Sequence, residues 1–176
     1  MNRDWSYFFL GIIAAMTMIM ISVQSRPLNV RPGVPNGMVT YQLSGEQAKV
    51  REYNGVWHEK GLMPVAEKHI WLDFIYILIY SLFFYTATKR FILLNPVPAV
   101  MKYRGILIFV SLLPGILDVF ENIFVMKWLN GNVDEISPGV VFITASLKYG
   151  LAAILLFGAI YDWIRVTSKL FFKKQL

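Results

Sequence analysis

The chain has 176 residues, 56% of them hydrophobic and 16% charged, with a mean hydropathy of +0.52, which is too apolar for a soluble domain of this length. Its net charge of +6 would suit nucleic acid, but the basic residues lie beside hydrophobic segments, so no nucleic-acid partner is expected and a membrane surface is. Cysteine is absent, which removes disulfides, thiolate catalysis, thiolate metal sites and thiol redox relays.

Residues 5–23 carry no charge. At about 1.5 Å per residue they reach across a hydrocarbon core of about 30 Å. Arg3 precedes them, but residues 22–26 lack a small-x-small cleavage pattern, so this first span reads as an uncleaved anchor. Met16, Met18 and Met20 within it read as packing or lipid-facing residues rather than ligands.

Residues 24–69 form the one long segment between spans. Its first part holds Pro27, Pro32, Gly33, Pro35 and Gly37 and is expected to be extended or turned. Residues 39–43 alternate like a short strand. Ser44 and Gln47 form a capping-box pattern that opens a helix to Tyr53, with Asn54-Gly55 as its stop. Pro64 suits the first turn of a helix that runs through Glu67 and His69 into the second span. Without a disulfide, so short a segment has little core of its own and is expected to rest as a small cap on the outer mouth of a bundle.

Residues 70–88, 105–126 and 139–161 are the further spans. Lys89, Arg90, Lys102 and Arg104 separate the second from the third, and Arg165, Lys169, Lys173 and Lys174 follow the fourth; such positive segments stay cytoplasmic. The loop 128–138, with Asp134 and Glu135, reads as external, and Arg3 places the N-terminus inside. Trp5, Tyr7, Trp71, Tyr103, Trp128, Tyr161 and Trp163 fall where interfacial anchors belong. The tail, with Phe171 and Phe172 among its lysines, is a topology signal suited to anionic headgroups. The expectation is an all-α, four-helix transmembrane bundle with a small external cap: one domain over residues 1–176, in the inner (plasma) membrane, both termini cytoplasmic.

Asp73, Asp118, Glu121, Asn122 and Lys148 lie inside these apolar segments, where ionisable groups are unfavourable unless they face a protein interior or water. Counted from the external ends, Asp73 lies about 5 Å deep, Glu121 about 8 Å, Asp118 about 12 Å and Lys148 about 14 Å. Asp118, Glu121 and Asn122 stand at i, i+3 and i+4, one face of a helix. His69, Asp73, Tyr76 and Tyr80 make a matching stripe on the second span. Three carboxyls against one ammonium predict either a protonated carboxyl or a cation, His69 included, in the site. Pro114-Gly115, one turn before Asp118, would free the Val110 carbonyl beside the cluster or form a kink without a binding role. A structural alternative has Lys148 pair with Asp118 or Glu121 and staple two helices, with Asn122 bonding across them. His58, Glu59, Glu67, His69 and Asp73 match no compact zinc spacing, and neither a metal nor a cofactor is implied.

Leu72-Asp73-Phe74 with Tyr76 and Tyr80, Leu117-Asp118-x-x-Glu121-Asn122, and Lys148 resemble an uncharacterised family of small four-span bacterial integral membrane proteins. The resemblance covers most of the chain and implies a shared bundle without naming an activity. Binding of a lipid or amphiphilic small molecule, with or without its conversion, is the leading functional expectation; Asp73, Tyr76, Asp118, Glu121, Asn122, Lys148 and His69 are its ligand-binding candidates. The alternatives are an accessory subunit of a larger membrane complex and a proton- or cation-coupled transporter, for which a site so far from the midplane is a weakness. Membrane lipids are the expected partners, alongside a membrane protein or further copies of the chain.

Overall fold

The structure, a computed structural model, describes residues 6–30 and 37–172. Trp5, Arg3, Pro32, Gly33, Pro35, Lys173 and Lys174 lie outside the described residues, as do the side chains of Tyr7, Lys169, Phe171 and Phe172. Among the described residues the chain forms seven α-helices and no strand. They are α1 (Ser6–Gln24), α2 (Gly37–Gln42), α3 (Gln47–Glu59), α4 (Met63–Leu94), α5 (Pro98–Lys102), α6 (Arg104–Leu129) and α7 (Pro138–Phe172), with a 3-10 turn at Arg26–Leu28. Three of them, α4, α6 and α7, are long and apolar enough to cross a membrane, the pattern of a multi-pass membrane protein. Their outer faces carry large apolar side chains in the open: Leu78, Phe157 and Ile154 are 63%, 71% and 69% exposed. Such a surface suits a hydrocarbon solvent.

The bundle is built on α4. It packs along α1 on one side and α6 on the other, and α7 packs on α6 and less extensively on α4. Where α4 and α6 meet, Gly115 faces Ser81, whose Oγ stands in the place an added Cβ would need. Pro114 is buried inside α6, and the helix continues through it. The Pro114-Gly115 pair therefore serves helix packing, and neither residue lines the cavity described below.

At one end, α2, α3 and the 3-10 turn form the expected cap. Leu28, Met38, Tyr41, Val50 and Trp57 share a buried cluster with Ile70, Val125, Trp128 and Val141 from the long helices, so cap and bundle have one core. Tyr41 is its centre, with its ring 4.9 Å from Trp57 and 5.6 Å from Trp128. The Tyr41 hydroxyl donates to Asn54 Oδ1 at 2.8 Å, and Asn54 Nδ2 donates to the Trp128 carbonyl at 2.8 Å. Burial pushes the ionisation of the Tyr41 phenol up, against the smaller opposing effect of Asn54. Asp134 of the α6–α7 loop takes Arg51 at 2.7 Å and also accepts from Gln47, tying α3 to the loop.

Several local expectations are corrected here. Residues 39–42 belong to helix α2, and Leu43 to the turn after it, rather than to a strand, because Met38, Tyr41 and Gln42 fall on one helical face and are all buried. The helix after Ser44 starts at Gln47 without a side-chain cap bond, and it runs past Asn54-Gly55 to Glu59. Its stop is Gly61, at φ +66°. There Gly61 N–H bonds to His58 O and Leu62 N–H to Trp57 O, a Schellman termination that favours glycine. Gly131 ends α6 in the same way, with φ +89°. Trp128 is not an interfacial anchor, since the cap buries it completely, whereas Trp71, Tyr103 and Tyr161 are exposed.

The start of α4 is as expected, with Pro64 in its first turn and no break through His69 into the apolar segment. At the end opposite the cap, Arg90 lies 3.6 Å from the buried Asp162, and Arg165 donates to Asn95 Oδ1 at 2.8 Å. These contacts tie the far ends of α4 and α7 together.

Candidate functional site

Near the cap, three helices deliver their polar residues to one level. On α6, one face holds Asp118, Glu121 and Asn122, exposed by 3%, 0% and 0%. From α7, Lys148 reaches across, its Nζ 2.7 Å from Asp118 Oδ1 and 2.8 Å from Glu121 Oε2. From α4, the Tyr80 hydroxyl donates to Asp118 Oδ2 at 2.8 Å, and Asp73 Oδ2 accepts from Asn122 Nδ2 at 2.8 Å. The convergence expected from depth and spacing is present. Lys148 bridges two carboxylates rather than choosing between them.

Lys148, Tyr80 and Asn122 each donate within the cluster. Lys148 serves two carboxylates and sits 4.5 Å from the centre of the Tyr149 ring, a cation–π distance. Tyr80 and Asn122 each donate to a carboxylate, and Tyr149 points its hydroxyl at Gln42 Oε1 at 3.5 Å. The buried atoms here without a hydrogen-bond partner are both carboxylate oxygens of Glu121, Asn122 Oδ1 and His69 Nδ1. The contact of Lys148 with Glu121 is ionic, off hydrogen-bond alignment. Buried groups are rarely left in this condition.

The cluster stands at one end of a groove. A cavity of about 660 Å³ runs between α1 and α7, floored by α4. His69, Asp73, Tyr76, Asp118 and Lys148 line its polar end beneath Gln42 of α2. Glu121 and Asn122 stand behind this wall, touching Lys148 and Asp73 rather than the space itself. The sides are small or apolar, among them Gly11, Ala14, Ala152, Ala153 and Leu156. At the far end Phe8 of α1 stacks on Trp163 of α7, ring centres 6.0 Å apart.

All seven candidate residues thus belong to one constellation, five on the cavity and two supporting them. Tyr80, already part of the α4 stripe, adds a direct bond to Asp118. Tyr149 and Gln42 were not anticipated, being neutral and, for Gln42, assigned to a strand; the neighbour of an intramembrane lysine was the available signal. Asp162 was passed over because it lies one residue beyond the expected end of the fourth span. The arrangement can bind a molecule with one polar and one apolar end. Comparison with models of known protein families, with curated proteins and with solved structures gives no match.

Proposed function

We propose that this chain binds a lipid or amphiphilic small molecule lengthwise in the groove between α1 and α7, its polar end beside His69, Asp73, Asp118 and Lys148. One observation carries this reading: a cavity of about 660 Å³ whose walls are apolar along the helices and charged at one end. Its size is that of ordinary ligand sites, roughly 300–1,000 Å³. From Lys148 to Trp163 is fifteen residues of α7, about 22 Å of helix, longer than one leaflet of a bilayer core of about 30 Å. A staple alone accounts for the Lys148 contacts but not for the space beside them.

In this reading α1 is a fourth span, the cap lies outside, and both termini are cytoplasmic in a bacterial inner membrane. The support is the collection of Lys89, Arg90, Lys102, Arg104 and Arg165 at the end opposite the cap. The absence of native cysteine makes the topology simple to test. Single cysteines introduced at Lys49 and Lys102 are expected to react with an impermeant maleimide from opposite sides of the membrane; labelling of both from one side rejects the arrangement. For binding, native mass spectrometry of the purified chain is expected to show retained lipid that Ala152→Phe, which fills the groove, removes. Equal retention by a folded Ala152→Phe variant rejects the site.

A further inference from the structure

Resting on the groove as the ligand site, we propose that its occupant carries a primary ammonium head, held by the Asp73 carboxylate against the ring of Tyr76. The first argument is charge. Asp73, Asp118 and Glu121 surround a single ammonium, Lys148, which is committed to two of them at 2.7 and 2.8 Å. Asp73 receives only the neutral amide of Asn122. A cation at the polar end offsets part of the excess negative charge, and an anion adds to it.

Hydrogen bonding gives the second argument independently. Asp73 lines the cavity and among the described residues accepts a hydrogen bond through Oδ2 alone, which leaves Oδ1 to an occupant of the groove. His69 lines the cavity beside it and is 9% exposed. A primary ammonium brings three donors and no acceptor. His69 and Asp73 are four residues apart and Tyr76 three further, so one face of α4 presents imidazole, carboxylate and ring in succession. Tyr76 and Tyr80 pack with ring centres 5.0 Å apart, a surface suited to the flank of a cation.

The test uses the full chain in neutral micelles and compares amphiphiles of one tail length by native mass spectrometry: dodecylammonium, dodecyltrimethylammonium, dodecyl sulfate and dodecyl maltoside. Dodecylammonium is expected to bind about tenfold or more tightly than each of the others, and Asp73→Asn, which keeps an acceptor for Asn122, to abolish that preference. Equal binding of the trimethylammonium or maltoside, tighter binding of the sulfate, or a preference that survives Asp73→Asn overturns the inference. Ala152→Phe and Ala153→Phe separate the two levels of failure. If folded blocked variants bind every amphiphile as the parent chain does, the groove itself is not the site. If blocking removes binding but head chemistry makes no difference, the site stands and the ammonium does not.

Discussion

Replacing Lys148 by Met removes the only positive charge between Asp118 and Glu121 while keeping most of the side-chain volume. At contact distances of 2.7 and 2.8 Å and an effective dielectric of about 20, each attraction is on the order of 6 kcal/mol. Desolvation of the three groups offsets most of this, and loss of one partner from a buried ion pair leaves a net destabilisation of about 3–5 kcal/mol. For a chain of this size that corresponds to a fall of roughly 6–20 °C in Tm. Adding Asp118→Asn and Glu121→Gln to the Lys148→Met variant removes the stranded charges and keeps an acceptor for Tyr80. This triple variant is expected to recover to within about 1–2 kcal/mol of the parent chain. Thermal melts and denaturant titrations in mixed micelles measure both. A single Lys148→Met variant within about 1 kcal/mol of the parent would refute the reasoning, because the ammonium would then be solvated rather than buried between carboxylates.

Gly115→Val is expected to separate α4 from α6 and destabilise by about 1–3 kcal/mol; Gly115→Ala combined with Ser81→Ala, which vacates the position of Ser81 Oγ, should fall within about 1 kcal/mol of the parent in the same melts. Asn54→Ala strands the Tyr41 hydroxyl and the Trp128 carbonyl, at about 1–3 kcal/mol, and should make the cap more sensitive to limited proteolysis, whereas unchanged cleavage would show that the apolar cluster alone holds it. Tyr41 ionises higher in the folded cap than in the unfolded chain, so cap stability should be independent of this group below about pH 10 and fall as pH rises beyond it. Difference absorbance at alkaline pH should show a late-titrating phenol that is missing in Tyr41→Phe.

Much of this molecule was legible because charge in an apolar segment has few places to go. Counting 1.5 Å per residue put Asp73, Asp118, Glu121 and Lys148 near one level, and their contacts join them there. The start of α4 at Pro64 followed from backbone chemistry in the same way. The cap was harder. Alternation over 39–43 fits a strand, but three apolar or amphipathic positions also fit one face of a short helix, and the surface offered by Trp128 decided between them. Asn54-Gly55 resembles a stop, yet Asn54 has partners within the packed cap, and the left-handed conformation falls at Gly61 instead. Trp128 has the composition of a headgroup anchor, and only the cap above it makes it a core residue. The groove was the least accessible feature. Small residues such as Gly11, Ala14, Ala152 and Ala153 ordinarily signal helices in close contact, but here they border a space. Which helix neighbours which is a property of the assembled bundle, not of any one segment.

If the groove holds an apolar tail as proposed, the stacked rings of Phe8 and Trp163 act as a ruler. A tail entering from the cap end would meet aromatic carbon after about 22 Å of helix, and a longer chain would have to fold back or leave sideways between α1 and α7. Replacing either ring with alanine would lengthen the scale, and the distribution of tail lengths retained by the two forms of the protein would read out the position of that stop.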